Sequence, residues 1–348
     1  MTKIIETAAG QVSLLRPDSM PNAGSFLWNQ HLMLQLNCRG YASAQFMQPE
    51  PAKYATGPSL EATTFMQPEQ SYFDHHPGRF FYVKDHSNGE LISLPFAPIQ
   101  KALDSFKFIV ETEQISWLIH HRNLCFELVV KLDPKLTLEL WSLRVRNDGD
   151  ESRQVSVYPY FPIGYHSWMS QGARYHSDWA AIVAHRVSPY QKVADYYKQK
   201  QHKEWTVFMA QTPPIAWETS QSIFEGFGGL REPDSLTHNR LSNSEALYER
   251  PCAAMQYDLS LAPKQSQTFK FAFGAAANTA ELEEIQTSLN GQDDDIVELA
   301  KPTFKQGTPL PSDAENVADD LLNVSTPDAY FDQFVNVWLP RQITYHAD

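Results

Sequence analysis

The stretch LCFELVVK, residues Leu124–Lys131, decides the fold class of this chain. Its apolar side chains occupy alternate positions, namely Leu124, Phe126, Leu128 and Val130. The opposite face is predicted to carry Cys125, Glu127 and Lys131. A period of two is typical of a β-strand with one face against a core. The same kind of pattern recurs between about residues 25 and 275, which therefore read as a mainly β domain.

A second strand is predicted at Leu136–Arg146. Its apolar residues occupy two successive registers, Leu136, Leu138 and Leu140, followed by Trp141, Leu143 and Val145. A shift of one residue is what a β-bulge produces, so we expect a bulge in this strand. The turn residues NDGD at Asn147–Asp150 then lead to a further strand at Gln154–Phe161.

A hairpin is predicted near the end of the β region. Apolar residues alternate over Met255–Leu261 and again over Phe269–Phe273, with the loop APKQ between the two segments. No helix of a dozen residues separates these strands, so antiparallel pairing is expected.

The period becomes helical after residue 277. Asn278 and Glu281 have the spacing of a capping box, and Leu282, Ile285 and Leu289 follow at helical intervals. Two further helices are predicted from the pairs Ser312–Glu315 and Thr326–Pro327. We expect a β domain over residues 1–277, a helical linker over 278–325, and the start of another helical domain over 326–348.

The last predicted helix carries an apolar stripe, Phe331, Phe334, Val335 and Trp338. A stripe of this size requires a surface to pack against. The β region or further helices are the two surfaces that the sequence suggests.

Charge and cysteine usage exclude several classes of function. The formal net charge is −13, which disfavours nucleic acid as a partner, and no apolar run is long enough to span a membrane. The cysteines Cys38, Cys125 and Cys252 are far apart, so neither a disulfide framework nor a thiolate metal site is predicted. No apolar leader opens the sequence, and a cytoplasmic location is expected.

Common catalytic and cofactor motifs are not found. The sequence contains no GxGxxG, P-loop, GxSxG or HExxH pattern, so we predict no cofactor and no metal. Glycosidic-bond chemistry needs a carboxylic acid, but 41 Asp and Glu residues offer no pair that spacing alone would select.

Three segments combine aromatic with polar residues, a composition that suits carbohydrate. NCRGYASAQF, Asn37–Phe46, provides the candidates Arg39, Tyr41 and Gln45. The loop YFDHHPGRF provides His75, His76 and Arg79, which could grip a hydroxyl or an anion. The segment Tyr158–Trp179 provides Tyr165 and Trp168. The alternative interpretation is that these eight residues shape the surface or pack in the core.

A longer ordered pattern occupies Gly228–Ala276. It runs from GGLREPDSL through LSNS at Leu241–Ser244 to PCAAMQYDLSLAP and a final FAFG at Phe271–Gly274. This pattern resembles the inverting glycoside phosphorylases related to cellobiose phosphorylase. The stretches LELWSLRVRNDGDESRQVSVYPYF and VSTPDAYFDQFVNVWLPRQITYHAD agree, and the opening segment resembles the cellobionic acid phosphorylase branch.

The resemblance implies a galactose-mutarotase-like β super-sandwich, a short helical linker and then an α/α barrel. It also implies that phosphate attacks the anomeric carbon with inversion while an Asp acid protonates the leaving oxygen. In the family that Asp lies in the barrel. By this resemblance, the barrel would have barely begun at Asp348. We therefore assign no catalytic residue and expect the chain alone to be a truncated, inactive part.

The expected partners are a disaccharide or oligosaccharide and, in the full-length family enzyme only, inorganic phosphate. The resemblance also implies a homodimer, or association with a missing catalytic barrel. Two alternatives from other classes remain open at this point. One is a stand-alone mutarotase-type sugar epimerase with a His acid and a Glu base, and the other is a lectin-like module without turnover.

Overall fold

The computed structural model describes residues 4–8, 11–46, 78–163, 171–185, 205–291, 324–328, 331–332 and 334–340. Most of these residues lie in β-strands. In chain order the strands are β1 Ile5–Ala8, β2 Gln11–Leu14, β3 Gly24–Trp28, β4 Leu32–Asn37, β5 Ala42–Phe46, β6 Phe80–Asp85, β7 Glu90–Leu94, β8 Ser105–Val110, β9 Ile115–His121, β10 Leu124–Leu132, β11 Leu138–Asn147, β12 Arg153–Pro162, β13 Gly172–His176, β14 Ala181–His185, β15 Trp205–Ala210, β16 Ala216–Ser220, β17 Ala246–Leu247, β18 Pro251–Leu261 and β19 Ser266–Ala276. The α-helices are α1 Gln221–Glu225 and α2 Thr279–Asn290.

The strands form three antiparallel sheets. The large sheet has the order β1-β2-β8-β9-β10-β11-β19-β15-β14-β13-β17, and the small sheet has the order β16-β18-β12-β6-β7. A third sheet, β3-β4-β5, packs its apolar face on the same core. The mainly β class is therefore confirmed.

The two larger sheets pack against each other through aromatic side chains. Phe81 and Phe161 of the small sheet meet Trp141, Phe271 and Phe273 of the large one, with ring centroids 5.2–6.0 Å apart. All five rings are almost completely buried. Burial of apolar surface stabilises a fold by about 25 cal/mol per Å², so this aromatic layer contributes to holding the two sheets together.

The strand predicted at Leu124–Lys131 is confirmed as β10, but the bulge expected in the next strand is wrong. Strand β11 pairs with β10 without interruption, from Leu132 opposite Glu139 to Leu124 opposite Asn147. The two apolar registers arise because both faces are covered at this end. Leu138 packs under helix α2, whereas Trp141 faces the core between the sheets.

The hairpin predicted from Met255–Leu261 and Phe269–Phe273 is also wrong. Strand β18 pairs with β12 and β16 in the small sheet, and β19 pairs with β11 and β15 in the large sheet. Both strands do alternate as predicted, and their pairings are antiparallel. Alternation defines which face of a strand is buried and does not define its neighbours.

The chain crosses between the two sheets at two adjacent corners. One corner joins β11 to β12, and the other joins β18 to β19. Buried Asn147 connects them because its Nδ2 atom donates to the carbonyl oxygens of Glu151, Leu261 and Ala262 at 2.7, 3.1 and 3.2 Å. The two corners are therefore one hydrogen-bonded unit.

Helix α2 begins where the capping box predicted. The side chain of Asn278 accepts a hydrogen bond from the backbone N–H of Glu281 at 3.1 Å, and the Glu281 carboxylate accepts one from the N–H of Ala277. Leu282, Ile285 and Leu289 are buried, as the helical spacing predicted. They cover the outer face of the large sheet.

The helix predicted from Ser312 and Glu315 lies outside the described residues. Near the end of the chain, Phe334–Trp338 forms a π-helix, and the hydroxyl of Thr326 accepts a hydrogen bond from the N–H of Asp328 at 3.1 Å. Trp338 packs against the sandwich core, whereas Phe331 and Phe334 are exposed. In the part of the chain that the structure describes, no helix is long and apolar enough to cross a membrane.

Candidate functional site

Of the candidates, Arg39 lies in the tight turn between β4 and β5, and Tyr41 directly follows it. The side-chain oxygen of Asn37 accepts hydrogen bonds from the backbone N–H groups of both residues at 3.0 Å. The Nε atom of Arg39 donates to the carbonyl oxygen of Pro17 at 3.0 Å, and burial raises the pKa of Tyr41. Both side chains are half-buried, so the turn presents them at the surface only in part. Gln45 lies on β5, and its side chain is outside the described set.

Arg79 has a structural position in the core. Its side chain and that of Glu139 are completely buried, and the Nε atom of Arg79 donates to Oε2 of Glu139 at 2.7 Å. The guanidinium also lies 4.4 Å from the ring centroid of Phe273. The Nε1 atom of Trp141 donates to Glu139 at 2.9 Å. A direct contact between Arg79 and a sugar would require the sandwich to open.

The other four predicted candidates, His75, His76, Tyr165 and Trp168, lie outside the described residues. Of the eight predicted residues, the structure therefore brings Arg39 and Tyr41 together. Any role of these residues in sugar binding stays a prediction.

A different cleft lies on the outer face of the large sheet. It has a volume of about 520 Å³. Its lining residues come from β13, the turn that follows it, β14, β15 and the start of α2, and they are Arg174, His176, Asp178, Trp179, Val183, His185, Trp205, Thr279 and Leu282. Ligand pockets for small molecules generally have volumes of about 300–1,000 Å³.

The strand register explains why these residues share one face. Gly172 pairs with His185 and Arg174 with Val183, so the side chains of Arg174 and His185 project to the same side of the sheet. On β15, Val207 pairs with Val183, and its second neighbour Trp205 therefore lies on that side too. The alternate residues face the sandwich core.

The cleft combines two indole rings with several polar groups. Trp179 and Trp205 are half-buried and pack against the apolar cluster beneath α2. The ring of His176 lies 5.6 Å from that of Trp179, centroid to centroid. Burial, and then the charge of Arg174, lower the pKa of His185, so this imidazole is neutral at pH 7.

Sequence reasoning found part of this cleft and missed part. The segment Tyr158–Trp179 was identified as a polar-aromatic patch, and it contains Arg174, His176 and Trp179. His185 and Trp205 were not identified, because their place beside the patch depends on strand pairing. Two local signals could have predicted the β13–β14 pair. One is the alternation of Arg174 and His176, and the other is the turn between the two strands.

A cluster of potential metal ligands is formed by His120, Cys125 and Asp148, whose ligand atoms lie within 4.8 Å of one another. The Asp148 carboxylate already binds Nε of Arg146 at 2.6 Å. Burial raises the pKa of Cys125 to about 11, which disfavours the thiolate that a metal requires. A cation would also meet the positive charge of Arg146, so we assign no metal to this cluster.

A histidine–glutamate pair bears on the epimerase alternative. The Nε2 atom of His121 lies 3.2 Å from Oε2 of Glu90, and Arg122 and Lys101 bind the same carboxylate. The adjoining cavity has a volume of about 10 Å³, room for one water molecule. This pair therefore has no space for a sugar beside it.

Comparison with known proteins identifies the family. The family model described as glycosyl hydrolase 94, supersandwich domain, matches residues 67–292. This match covers more than half of the chain, so the chain belongs to the glycosyl hydrolase 94 supersandwich family. The predicted super-sandwich fold is confirmed, as is the resemblance to glycoside phosphorylases at the level of the family.

Curated relatives are longer than this chain. Cellobionic acid phosphorylase of Neurospora crassa is 44% identical over 335 residues, which cover 96% of this chain and 41% of that protein. Solabiose phosphorylase of Paenibacillus borealis is 21% identical over 340 residues, covering 93% of this chain and 40% of that protein. The chain thus spans about two fifths of the length of these relatives.

Solved structures show more distant similarity. A putative kojibiose phosphorylase from the human microbiome has a TM-score of 0.47 at 10% identity, covering 83% of this chain and 36% of that one. A putative aldose 1-epimerase from Escherichia coli has a TM-score of 0.37 at 12% identity, covering 73% of this chain and 99% of that one.

Proposed function

We propose that this chain is the carbohydrate-associated, non-catalytic supersandwich part of a glycoside phosphorylase that acts on cellobionic acid-like or cellobiose-like β-glucosides. In such a reaction a phosphate oxygen forms a bond to the anomeric carbon as the glycosidic bond breaks. An acid group gives its proton to the leaving oxygen, and inversion yields an α-glycosyl phosphate. We propose that this acid lies in a part of the longer relatives that this chain does not match.

The similarity to cellobionic acid phosphorylase carries this proposal. Identity of 44% extends over 96% of the chain, and it is accompanied by the supersandwich family match. The surroundings of the buried carboxylates agree with it. Glu139 binds Arg79, and Glu225 accepts hydrogen bonds from Tyr160 and Gln221. Both carboxylates are buried and hydrogen-bonded within the fold.

A phosphorolysis assay tests the proposal. The purified chain is incubated with inorganic phosphate and either cellobionic acid or cellobiose, and glucose 1-phosphate is measured. We expect no product, whereas the full-length Neurospora crassa relative is the positive control for cellobionic acid. Turnover by the 348-residue chain would contradict the non-catalytic assignment. Accelerated mutarotation of fresh α-glucose, measured by polarimetry, would support the epimerase alternative instead.

We propose in addition that the protein is a cytoplasmic homodimer. The resemblance to the phosphorylase family supports this assignment, and the three cysteines are unpaired and buried. Light scattering coupled to gel filtration measures the state directly. The expected mass is twice 39.7 kDa, and a monomer at micromolar concentration would contradict it.

A further inference from the structure

We propose that the cleft between β13, β14, β15 and the start of α2 binds the end of a neutral glucose-based saccharide. Only the choice of ligand class rests on the proposed function. The site itself is inferred from the side chains that line the cleft.

The apolar part of the site is provided by Trp179 and Trp205. Both rings are partly exposed to the cleft and are supported from below by the cluster that includes Leu282. A supported ring keeps its orientation, so a ligand that stacks on it does not have to immobilise it. The C–H face of a pyranose ring is flat and weakly polar, and it fits such a surface.

The polar part of the site has unused hydrogen-bonding capacity. The imidazoles of His176 and His185 and the carboxylate of Asp178 have no hydrogen-bond partner among the residues that the structure describes. A neutral imidazole offers one donor and one acceptor, and a carboxylate offers acceptors only. This set matches sugar hydroxyls, each of which can donate and accept.

The charges of the site favour a neutral ligand over an anion. Nε of Arg174 lies 3.3 Å from Oε2 of Glu245, and both side chains are exposed. The negative charge of Asp178 is added to this pair, and the lowered pKa keeps His185 uncharged at pH 7. A phosphate or a sugar carboxylate would therefore gain no net attraction here.

The backbone around the site is tightly constrained. A Cβ atom at Gly172 would lie 2.6 Å from the carbonyl oxygen of Ala246 and 3.3 Å from Cε1 of His185, so this glycine allows β13 to approach both neighbours. Ala180 has a φ of 47° and closes the turn that holds Trp179. Binding would therefore need little rearrangement of the described walls.

Titration calorimetry of the whole 348-residue chain with cellobiose, and with cellobionic acid as a charged comparison, tests the inference. We expect saturable binding of cellobiose at millimolar concentration, with the terminal carboxylate giving no gain. Trp179→Ala should weaken binding by at least about tenfold, since buried aromatic contacts often dominate affinity. Trp179→Phe should retain part of it.

Two further variants control for folding and for non-specific effects. Asp178 is exposed, so Asp178→Ala should fold normally and weaken binding several-fold. Phe227 is a fully exposed aromatic residue outside the cleft, and Phe227→Ala should leave binding unchanged. Circular dichroism establishes that each variant is folded.

Three results would overturn the inference. The first is no saturable binding by the folded chain, and the second is binding that Trp179→Ala and Asp178→Ala do not change. The third is self-association that Trp179→Ala abolishes in the absence of sugar binding, which would make the cleft a protein interface. Phosphorolysis by the chain would contradict the proposed function, but it would not change the outcome of this binding experiment.

Discussion

The buried pair Arg79–Glu139 is the clearest case in which a residue's chemistry differs from what its sequence context suggests. Arg79 follows a loop rich in polar residues, and that context predicts a surface role. In the fold it lies between the sheets, where Glu139 and the ring of Phe273 surround the guanidinium. The sequence could not reveal this, because Glu139 is 60 positions away, on a strand where the next residues of the same face, Trp141 and Leu143, are apolar.

Removing one partner of this pair should destabilise the protein strongly. Arg79→Met leaves the carboxylate of Glu139 buried without its cation, and we expect a loss of about 3–5 kcal/mol in the free energy of unfolding. The double variant Arg79→Met/Glu139→Leu should recover part of that loss, because it removes the unpaired charge but also the acceptor of the Trp141 Nε1–H. Urea denaturation measures both. The exposed pair Arg16–Asp18 is the control, for which Arg16→Ala should cost at most about 1 kcal/mol.

His185 should make stability depend on pH. Burial and Arg174 lower its folded-state pKa below the unfolded value of about 6.5. The unfolded chain therefore binds this proton more readily, and the stabilising contribution is present above pH 6.5 and is lost as the pH falls through the folded pKa. His185→Gln should flatten the dependence of the urea midpoint between pH 5 and 8. An unchanged slope, or the same flattening in exposed His238→Gln, would contradict the assignment.

At the scale of elements, the sequence predicted types and faces better than partners. Strand β10 and helix α2 were correct, because alternation and a capping box are local signals. The pairing of β18 with β12 could not be predicted from the sequence. The alternation shows that Met255 and Val155 face the core, but it would be the same in either sheet. The cleft was only partly predictable for the same reason. His185 shares a face of the sheet with Arg174 because of the strand register, which the sequence does not reveal.

Asn147 should be essential to the two corners. Its side chain donates to three carbonyl oxygens and accepts from the N–H of Gly149 at 3.0 Å. Asn147→Ala removes this donor from the buried carbonyl of Leu261 and the acceptor of the Gly149 N–H, whereas the Ala262 carbonyl keeps the N–H of Gln265. We expect a loss of about 2–4 kcal/mol in the free energy of unfolding, since each group left unsatisfied costs about 1–3 kcal/mol. Chemical denaturation gives the value. Asn88→Ala, which removes a single exposed turn contact, should cost less than about 1 kcal/mol.

At the scale of the whole molecule, Phe161 is one of the aromatic residues that couple the two larger sheets. The ring of Phe161 contacts those of Phe81, Trp141, Phe208 and Phe273, with centroids 4.7–5.6 Å apart. Phe161 lies on β12 of the small sheet, and three of these partners lie on the large sheet.

Phe161→Ala should therefore weaken both sheets together. We expect a loss of about 3–5 kcal/mol, and amide hydrogen exchange should accelerate in β11 and β19 as well as in β12 and β18. Leu289→Ala, beneath α2, is a control in which exchange should accelerate mainly around the helix. Faster exchange confined to the small sheet in Phe161→Ala would show that the sheets open independently.

The paired corners have a consequence for how the protein is made. The side chain of Asn147 cannot bind the second corner until Leu261, which is 114 residues further along the chain, has been synthesised. At about 5–20 residues per second, the ribosome needs about 6–23 s to deliver that segment. During this interval the apolar faces of β11 and β12 have neither of their later neighbours, β19 and β18. Nascent chains of this domain should therefore depend on chaperones that shield aromatic strands until residue 276 has emerged.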